Sequence, residues 1–234
     1  AQPEDAEKPE GADQPESAEE PKSADQQAAP AAAPAGSTPV NPKDDGFWGN
    51  TITVINNIAD KVLNLTLKDV KIDVSDTGDQ YDWDQKGKAA LSVQGKGNVE
   101  IELDGKNELK SGVQRAGLEK NTSTSTSTGT LTLKDDKEAG SGSLKATGGK
   151  YGAGIGGGEY YSGENITITG GRVNATGGWG SAGIGGGNYG SGNYGSGKNI
   201  TIKGGTVTAK GGDCGAGIGG GNGGIGENIT ITGG

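Results

Sequence analysis

The sequence predicts an all-β chain, a right-handed parallel β-helix of about five coils that follows a disordered acidic segment rich in Pro and Ala. Three observations predict it. A motif recurs every 29–35 residues, apolar and polar residues alternate inside it, and paired glycines separate its apolar stretches. A repeat of this length that buries its apolar face only against neighbouring repeats is typical of a solenoid.

The first part of the chain differs in composition from the rest. Residues 1–45 hold most of the Pro and many Ala, Glu and Asp, and they show no apolar period. Such a segment buries too little apolar surface to offset the entropy lost on ordering. We therefore expect residues 1–45 to be a disordered linker or stalk, and the remaining chain to form one domain.

A short segment precedes the regular repeats. Residues 46–63 contain Phe47, Trp48 and an alternating run at 51–55, and we expect them to cap the N-terminal end of the solenoid. An uncovered end would expose strand edges that promote aggregation. The β-helix itself is predicted over residues 64–234. Because the sequence stops one strand into a sixth coil, we expect the natural protein to continue beyond it.

Each coil is predicted to contain three short strands. In the clearest repeat these are residues 166–168, 173–175 and 182–184. Alternation with a period of two places Ile166 and Ile168 on one face of their strand. The paired glycines suit the corners between strands, where positive φ and close backbone approach exclude a Cβ. Crossovers between parallel strands strongly prefer the right hand, which predicts the handedness.

Most repeats open with an asparagine. The opening residues are Asn64, Asn98, Thr130, Asn165, Asn199 and Asn228. Side-chain amides stacked at one position of successive coils bond to those above and below, as in the Asn ladders of cross-β stacks. The alternative is N-glycosylation, because four of these residues fall in Asn-x-Thr. We favour the ladder, since a glycan would crowd an ordered strand edge.

Aromatic residues of the third and fourth coils lie in predicted corners and loops. Five of them are candidate ligand-binding residues: Tyr160, Tyr161, Trp179, Tyr189 and Tyr194. Exposed Tyr and Trp offer flat faces to sugar rings or protein surfaces at low cost in side-chain entropy. The alternative is that they only shield exposed backbone at the Gly-rich corners.

Four aspartates cluster in the long loop of the first coil: Asp76, Asp79, Asp82 and Asp84. Oxygen ligands at short spacing suit Ca²⁺, but the spacing is not that of an EF-hand loop and no Glu closes it. A solvated acidic loop is the favoured interpretation, and a weak Ca²⁺ site is the alternative. No other cofactor is expected.

Composition argues against several classes of function. The net charge of −9 and the lack of a basic stripe argue against nucleic acid as a partner. No long apolar run is present, so no membrane-spanning segment is expected. The chain has no His, Arg115 and Arg172 lie in different coils, and no paired carboxylates recur at matched positions. We therefore expect no enzymatic activity.

The pattern Val-x-Ala-Thr/Lys-Gly-Gly followed by Ala-Gly-Ile-Gly-Gly-Gly, behind an acidic stalk, resembles the Gly-rich repeat regions of large surface proteins of Gram-positive bacteria. The way the repeats are organised is similar to that of β-helical carbohydrate-binding proteins of clostridia. The resemblance covers roughly residues 64–234 and is most specific over 143–234. It implies a secreted, wall-attached, adhesin-like protein, and it transfers no catalytic or binding residues.

The sequence therefore predicts a non-catalytic, extracellular protein of the bacterial cell surface or cell wall. Its partner would be a glycan or a host surface protein, bound through loops of the β-helix. One alternative is a rigid structural spacer that presents another module. A second alternative is a polysaccharide-acting enzyme whose site lies in coils outside this sequence. Loss of binding on changing the loop aromatics to Ala would distinguish the adhesin from the spacer.

Overall fold

The computed structural model of this chain describes most of it, in four ranges: 45–121, 127–136, 141–188 and 195–234. All four ranges belong to one unit, Thr38–Gly234. The segment predicted to be disordered, residues 1–45, therefore lies outside the described residues except for Asp45.

Short β-strands are the only regular secondary structure in these ranges. Their bounds are β1 (Ile52–Ile55), β2 (Val62–Lys68), β3 (Lys71–Asp73), β4 (Leu91–Gln94), β5 (Asn98–Asp104), β6 (Lys106–Lys110), β7 (Leu118–Glu119), β8 (Leu131–Lys134), β9 (Ser143–Thr147), β10 (Ile155–Gly156), β11 (Gly163–Ile168), β12 (Arg172–Thr176), β13 (Ile184–Gly185), β14 (Gly197–Ile202), β15 (Thr206–Lys210), β16 (Ile218–Gly219) and β17 (Gly226–Ile231). Val, Ile, Leu and Thr occupy many strand positions because their side chains pack well on a pleated, half-buried surface. In the described ranges no helix has the length and apolar character needed to cross a bilayer.

The strands form three parallel sheets, which we name by the typical length of their strands. The long sheet contains β2, β5, β8, β11, β14 and β17; the middle sheet contains β3, β6, β9, β12 and β15; the short sheet contains β1, β4, β7, β10, β13 and β16. Neighbouring strands pair in parallel, and each coil visits the long, middle and short sheets in turn. This confirms the predicted all-β parallel β-helix, while its right-handed sense stays a prediction.

Apolar side chains alternate into the interior of the coils. Ile166 and Ile168 of β11 are fully buried, whereas Thr167 between them is half-buried on the outer face. The parallel register stacks like residues into two interior columns, Val99–Leu131–Ile166–Ile200 and Ile101–Leu133–Ile168–Ile202. Burying one such side chain contributes about 1.5–3 kcal/mol, so these columns supply much of the stability.

The Ala-Gly-Ile-Gly-Gly-Gly motif forms the short strand of a coil and the bend around it. In the fourth coil the N–H of Ala182 donates to the carbonyl oxygen of Gly186 at 2.9 Å, which closes the bend around the buried Ile184. Gly185 has a φ of 132°, and a Cβ there would overlap the carbonyl oxygen of Gly219 in the next coil. Both its conformation and its neighbour therefore require glycine.

The predicted asparagine ladder connects the last coils. Asn199 Nδ2 donates to Asn165 Oδ1 at 3.0 Å, and Asn228 Nδ2 donates to Asn199 Oδ1 at 3.0 Å. All three residues have positive φ, between 52° and 58°, a region that Asn tolerates better than most side chains. Below them, Asn165 Nδ2 donates to the carbonyl oxygen of Thr128 at 3.1 Å. The side-chain amides thus hold successive coils together.

The first coil pairs two residues away from the predicted register. Leu63 pairs with Val99, so Asn64 lies beside Glu100 rather than beside Asn98. The expected alignment of Asn64 with Asn98 was therefore wrong. A shift of two residues keeps the same side chains facing inward, so the alternation of apolar residues does not distinguish the two registers.

Residues 46–63, predicted as an N-terminal cap, contain β1 and the start of β2. β1 pairs with β4 and adds a strand to the short sheet. The N–H of Trp48 donates to the carbonyl oxygen of Lys71 at 2.9 Å, which joins the segment to the middle sheet. Phe47 is buried, and Lys110 Nζ lies 4.1 Å from its ring centroid. This segment therefore contacts both the short and the middle sheet.

Candidate functional site

Three aromatic side chains form a strip along one corner of the β-helix. The rings of Trp83 and Tyr151 are stacked, with centroids 5.6 Å apart and an interplanar angle of 14°. Trp179 meets Tyr151 edge to face, with centroids 5.6 Å apart and an angle of 84°. Trp83 is 50% exposed and Trp179 is 46% exposed. We call Trp83, Tyr151 and Trp179 the aromatic strip.

Equivalent turns of neighbouring coils position two of the three rings. Tyr151 lies in the turn after β9, and Trp179 lies in the turn after β12, the strand that pairs with β9 in register. The N–H of Gly178 donates to the carbonyl oxygen of Gly152 at 2.9 Å and joins the two turns. Tyr151 has a φ of 74°, a conformation that costs energy for a residue with a Cβ. The corner backbone therefore fixes where these rings stand.

Trp83 comes from the long loop between β3 and β4, which its aspartates fold into turns. Asp79 Oδ1 accepts from the N–H of Tyr81 at 2.8 Å, and Asp82 Oδ1 accepts from the N–H of Asp84 at 3.0 Å. Asp82 Oδ2 accepts from Gln85 Nε2 at 2.8 Å. These Asx turns give the loop a defined shape and so place Trp83 beside Tyr151.

The same loop holds the four predicted calcium ligands, Asp76, Asp79, Asp82 and Asp84. The structure does not bring them together as a metal site. Within the described ranges no three or more His, Cys, Asp or Glu residues are grouped so that they could hold a metal ion. The solvated acidic loop stays the favoured interpretation, and a weak Ca²⁺ site stays the alternative.

A lysine adds positive charge beside the strip. Lys150 Nζ lies 5.0 Å from the ring centroid of Tyr151 and 5.9 Å from that of Tyr81. It also donates to Gln80 Oε1 at 3.0 Å. A cation within about 6 Å of a ring centroid is attracted to the ring face. Lys150 therefore helps to hold the first-coil loop against the corner of the third coil.

Tyr160 and Tyr161, two of the predicted binding residues, lie at the next corner of the third coil, between the short and long sheets. The N–H of Asn188 donates to the carbonyl oxygen of Tyr151 at 3.0 Å, and its carbonyl oxygen accepts from the N–H of Tyr160 at 3.0 Å. Tyr160 is 40% exposed. Tyr161 lines a separate cavity of about 410 Å³ beside the short sheet.

The predicted set of aromatics is thus divided. Trp179 lies in the aromatic strip, Tyr160 and Tyr161 lie at the other corner, and Tyr189 and Tyr194 lie outside the described residues. Tyr151 and Trp83 were not among the predicted binding residues, although both belong to the strip. Tyr151 lies at a predicted corner, as the other aromatics do. Trp83 lies in an irregular loop that gave no repeat signal, and the only sign was that the chain contains just three Trp.

Three buried ionisable groups lie in the second and third coils. Burial raises the pKa of Glu119, against the effect of Arg115, whose Nη1 lies 3.3 Å from Glu119 Oε1. Burial lowers the pKa of Lys120 to about 8, and Lys120 Nζ donates to the carbonyl oxygen of Ser127 at 2.9 Å. Burial raises the pKa of Glu159 to about 7. Glu159 and Lys120 therefore titrate near neutral pH.

The two arginines remain apart. Arg115 Nε donates to the carbonyl oxygen of Gly87 at 3.0 Å, whereas Arg172 lies exposed at the start of β12 on the middle sheet. The absence of enzymatic activity stays a prediction.

Comparison with known proteins supports the architecture. Three stretches of the chain, residues 140–159, 166–188 and 200–222, match a family model described as a beta helix repeat. No curated protein and no solved structure matches the chain. The three stacked sheets and the matching repeats define the class of this protein, a parallel β-helix built from repeats. The match identifies the fold and names no ligand.

Proposed function

We propose that this chain is a non-catalytic, adhesin-like protein of a bacterial cell surface that binds glycan through the aromatic strip. The observation that carries the proposal is the stacked and edge-to-face arrangement of Trp83, Tyr151 and Trp179. Tyr and Trp combine a flat apolar face with a polar tip, which suits the mixed surface of a sugar ring. The bacterial surface location rests on the resemblance of the repeats.

The strip is preorganised for binding. The two corner turns are hydrogen-bonded to each other and rest on paired strands, so Tyr151 and Trp179 keep their positions without a ligand. A binding surface that is ordered beforehand loses little entropy on association. The roughly half-exposed indoles of Trp83 and Trp179 leave surface for a ligand to cover. These features favour glycan binding over a purely structural spacer.

Binding to a panel of glycans and mucins, with and without Ca²⁺, tests the proposal. The Trp83→Ala/Trp179→Ala variant should lose saturable binding by at least about tenfold, because stacked aromatic contacts dominate small binding sites. Trp48→Ala is the control for the loss of an exposed indole, since Trp48 is 41% exposed and its N–H bonds to Lys71 of the middle sheet rather than to a turn of the strip. It should bind like the parent protein. Tyr160→Ala/Tyr161→Ala then measures whether the second corner contributes.

Other binding results would support a different function or a different site. If a folded protein binds no member of the panel, the rigid spacer becomes the better explanation. Binding to protein components of mucin alone would indicate a host protein as the partner. A strict need for Ca²⁺ would direct attention to the loop that contains Asp79 and Asp82. Equal loss in the Trp48→Ala variant would mean that the strip is not the site.

A further inference from the structure

The outer face of the middle sheet carries two columns of polar side chains. Their inward neighbours are buried, so these residues face outward by the alternation of the strands. In the parallel register one column reads Lys71–Glu108–Lys145–Asn174, and the other reads Lys106–Ser143–Arg172. Neighbouring strands lie about 4.8 Å apart, so side chains of adjacent coils are within reach of one ligand.

A pocket of about 410 Å³ lies between these columns. Among the described residues its charged lining consists of Lys71, Lys106, Lys145 and Arg172, with Glu108 as the one carboxylate. We call the pocket with these four cations the basic pocket. Within the described lining, four cations against one carboxylate give a local excess of positive charge, although the whole chain carries a net charge of −9. The sequence shows no basic stripe because these four cations come from four separate strands, β3, β6, β9 and β12.

Three of the four cations are available to a ligand. Glu108 Oε1 lies 2.7 Å from Lys145 Nζ and 3.9 Å from Lys110 Nζ, so this carboxylate is already shared by two lysines. Among the described residues, Lys71, Lys106 and Arg172 form no ion pair and are exposed.

Two carboxylates border the basic pocket, and each already accepts a backbone hydrogen bond. Asp69 Oδ1 accepts from the N–H of Lys106 at 2.9 Å, and Asp135 Oδ2 accepts from the N–H of Gly142 at 3.1 Å. These bonds hold the two carboxylates at the strand ends. The two carboxylates neutralise part of the positive charge without filling the pocket.

We propose that the basic pocket binds the sulfate or carboxylate groups of an anionic glycan. Complementary charge is the argument for an anion, since the pocket gathers cations on an otherwise acidic protein. Asn174 and Ser143 beside the cations supply amide and hydroxyl groups that hydrogen-bond to sugar hydroxyls.

The turns that hold Tyr151 and Trp179 follow β9 and β12, two of the strands that line the basic pocket. Trp179 follows Asn174 by five residues, a distance of at most about 17 Å along the chain. A single glycan chain that crosses the middle sheet can therefore stack on the strip and place an anionic group over the pocket. The glycan identity of the ligand rests on the proposed function. The recognition of charge does not depend on the strip.

Binding of the whole chain to dextran sulfate and to unmodified dextran tests the inference, because the two polymers differ only in sulfate. The Lys106→Gln/Arg172→Gln variant should bind dextran sulfate at least about tenfold more weakly than the parent. The ratio of the two affinities should grow as the salt concentration is lowered, because salt screens the charges. Alginate in place of dextran sulfate distinguishes carboxylate from sulfate recognition. Thermal unfolding of each variant verifies that it is folded.

The matched control is Lys61→Gln/Lys96→Gln, which removes the same charge from two exposed lysines that precede the long-sheet strands β2 and β5. It should change the affinity for dextran sulfate by less than about twofold. Equal weakening in both variants, or none in the pocket variant, would overturn the proposal. A single-stranded oligothymidylate that binds more tightly than dextran sulfate and is lost in the pocket variant would overturn it in favour of nucleic acid.

The two proposals fail separately. The strip would be excluded as the binding site if the variant Trp83→Ala/Trp179→Ala retained full binding. The pocket would still be supported if Lys106→Gln/Arg172→Gln lost binding to dextran sulfate. If only the tryptophan variant loses binding, the proposed role of the pocket is contradicted and that of the strip is supported.

Discussion

Glu159 is the residue whose environment departs furthest from that of an ordinary surface carboxylate. It is 4% exposed, and neither of its carboxylate oxygens has a hydrogen-bond partner among the described residues. Burial raises its pKa from 4.5 to about 7, and only Lys86 acts against this. The neighbouring corner residues Gln114 and Asn188 also carry a buried side-chain oxygen that finds no hydrogen-bond partner within the described ranges. The folded protein therefore keeps Glu159 protonated to a higher pH than the unfolded chain does.

Replacing Glu159 should change how stability depends on pH. Because the pKa is raised in the folded state, its stabilising contribution is complete below pH 4.5 and is lost as the pH rises through about 7. Glu159→Gln keeps the shape and removes the charge. We expect this variant to match the parent in melting temperature at pH 4 and to exceed it at pH 8.

Thermal melts of both proteins between pH 4 and pH 8 make the comparison. Glu227→Gln is the control, since Glu227 is exposed and forms an ion pair with Lys198 at 3.4 Å. It should not show the same gain at pH 8. A constant difference between Glu159→Gln and the parent across this pH range would contradict a buried, protonated carboxyl.

At the scale of the element, the corners determine how closely coils approach. Gly163, Gly197 and Gly226 occupy the same position at the start of successive long-sheet strands. A Cβ on Gly197 would overlap the carbonyl oxygen of Gly219, which is backbone and has no room to move. A Cβ on Gly226 would lie 3.1 Å from Ile229 Cδ1, the end of a flexible side chain.

Two equivalent substitutions should therefore differ sharply. Gly197→Ala forces backbone apart between coils and should cost more than about 3 kcal/mol of unfolding free energy, or prevent folding. Gly226→Ala should cost less than about 1 kcal/mol. Urea unfolding followed by circular dichroism measures both. Similar losses at the two positions would show that stacking of the coils does not impose the glycine.

At the scale of the whole molecule, stability comes from contacts between neighbouring coils. Each coil buries its apolar side chains against the coils above and below. The contribution of one side chain to the free energy of unfolding therefore depends on whether both neighbouring coils cover it. Ile168, Ile202 and Ile231 are paired in register. Ile168 is fully buried, whereas Ile231 is 62% exposed because no described coil covers β17.

The same substitution should have different costs in these two coils. Ile168→Ala should lower the free energy of unfolding by about 2–5 kcal/mol, since it removes buried contacts on both sides. Ile231→Ala should change it by less than about 1 kcal/mol. Equilibrium denaturation of both variants measures the difference. Equal costs would contradict a stability built from nearest-neighbour contacts.

Periodicity was sufficient to predict most strands. The alternation around Ile166 and Ile168 and the Gly-Gly corners gave the strands and the parallel stacking, because both are local consequences of side-chain size and backbone freedom. The asparagine ladder followed from the same repeat. The register of Asn64 was wrong because a shift of two residues leaves the inward face unchanged.

The candidate sites were less predictable from the sequence. Trp179 carried a local signal as an aromatic at a corner, but Trp83, which contacts the other side of the strip's Tyr151, lies in an irregular loop of another coil. Lys106 and Arg172 lie far apart in sequence. They face the same pocket only because their strands, β6 and β12, pair with β9 on its two sides. No local pattern states which loop folds over which corner.

By itself the sequence determined that this protein is a stack of short parallel strands with glycine corners. It did so because a repeat that alternates every two residues buries its apolar face only by stacking on copies of itself. The tertiary structure alone decided the register of the first coil, the assembly of the aromatic strip and the grouping of cations on the middle sheet. Each depends on pairing between distant segments, whose energies arise only once the coils are stacked.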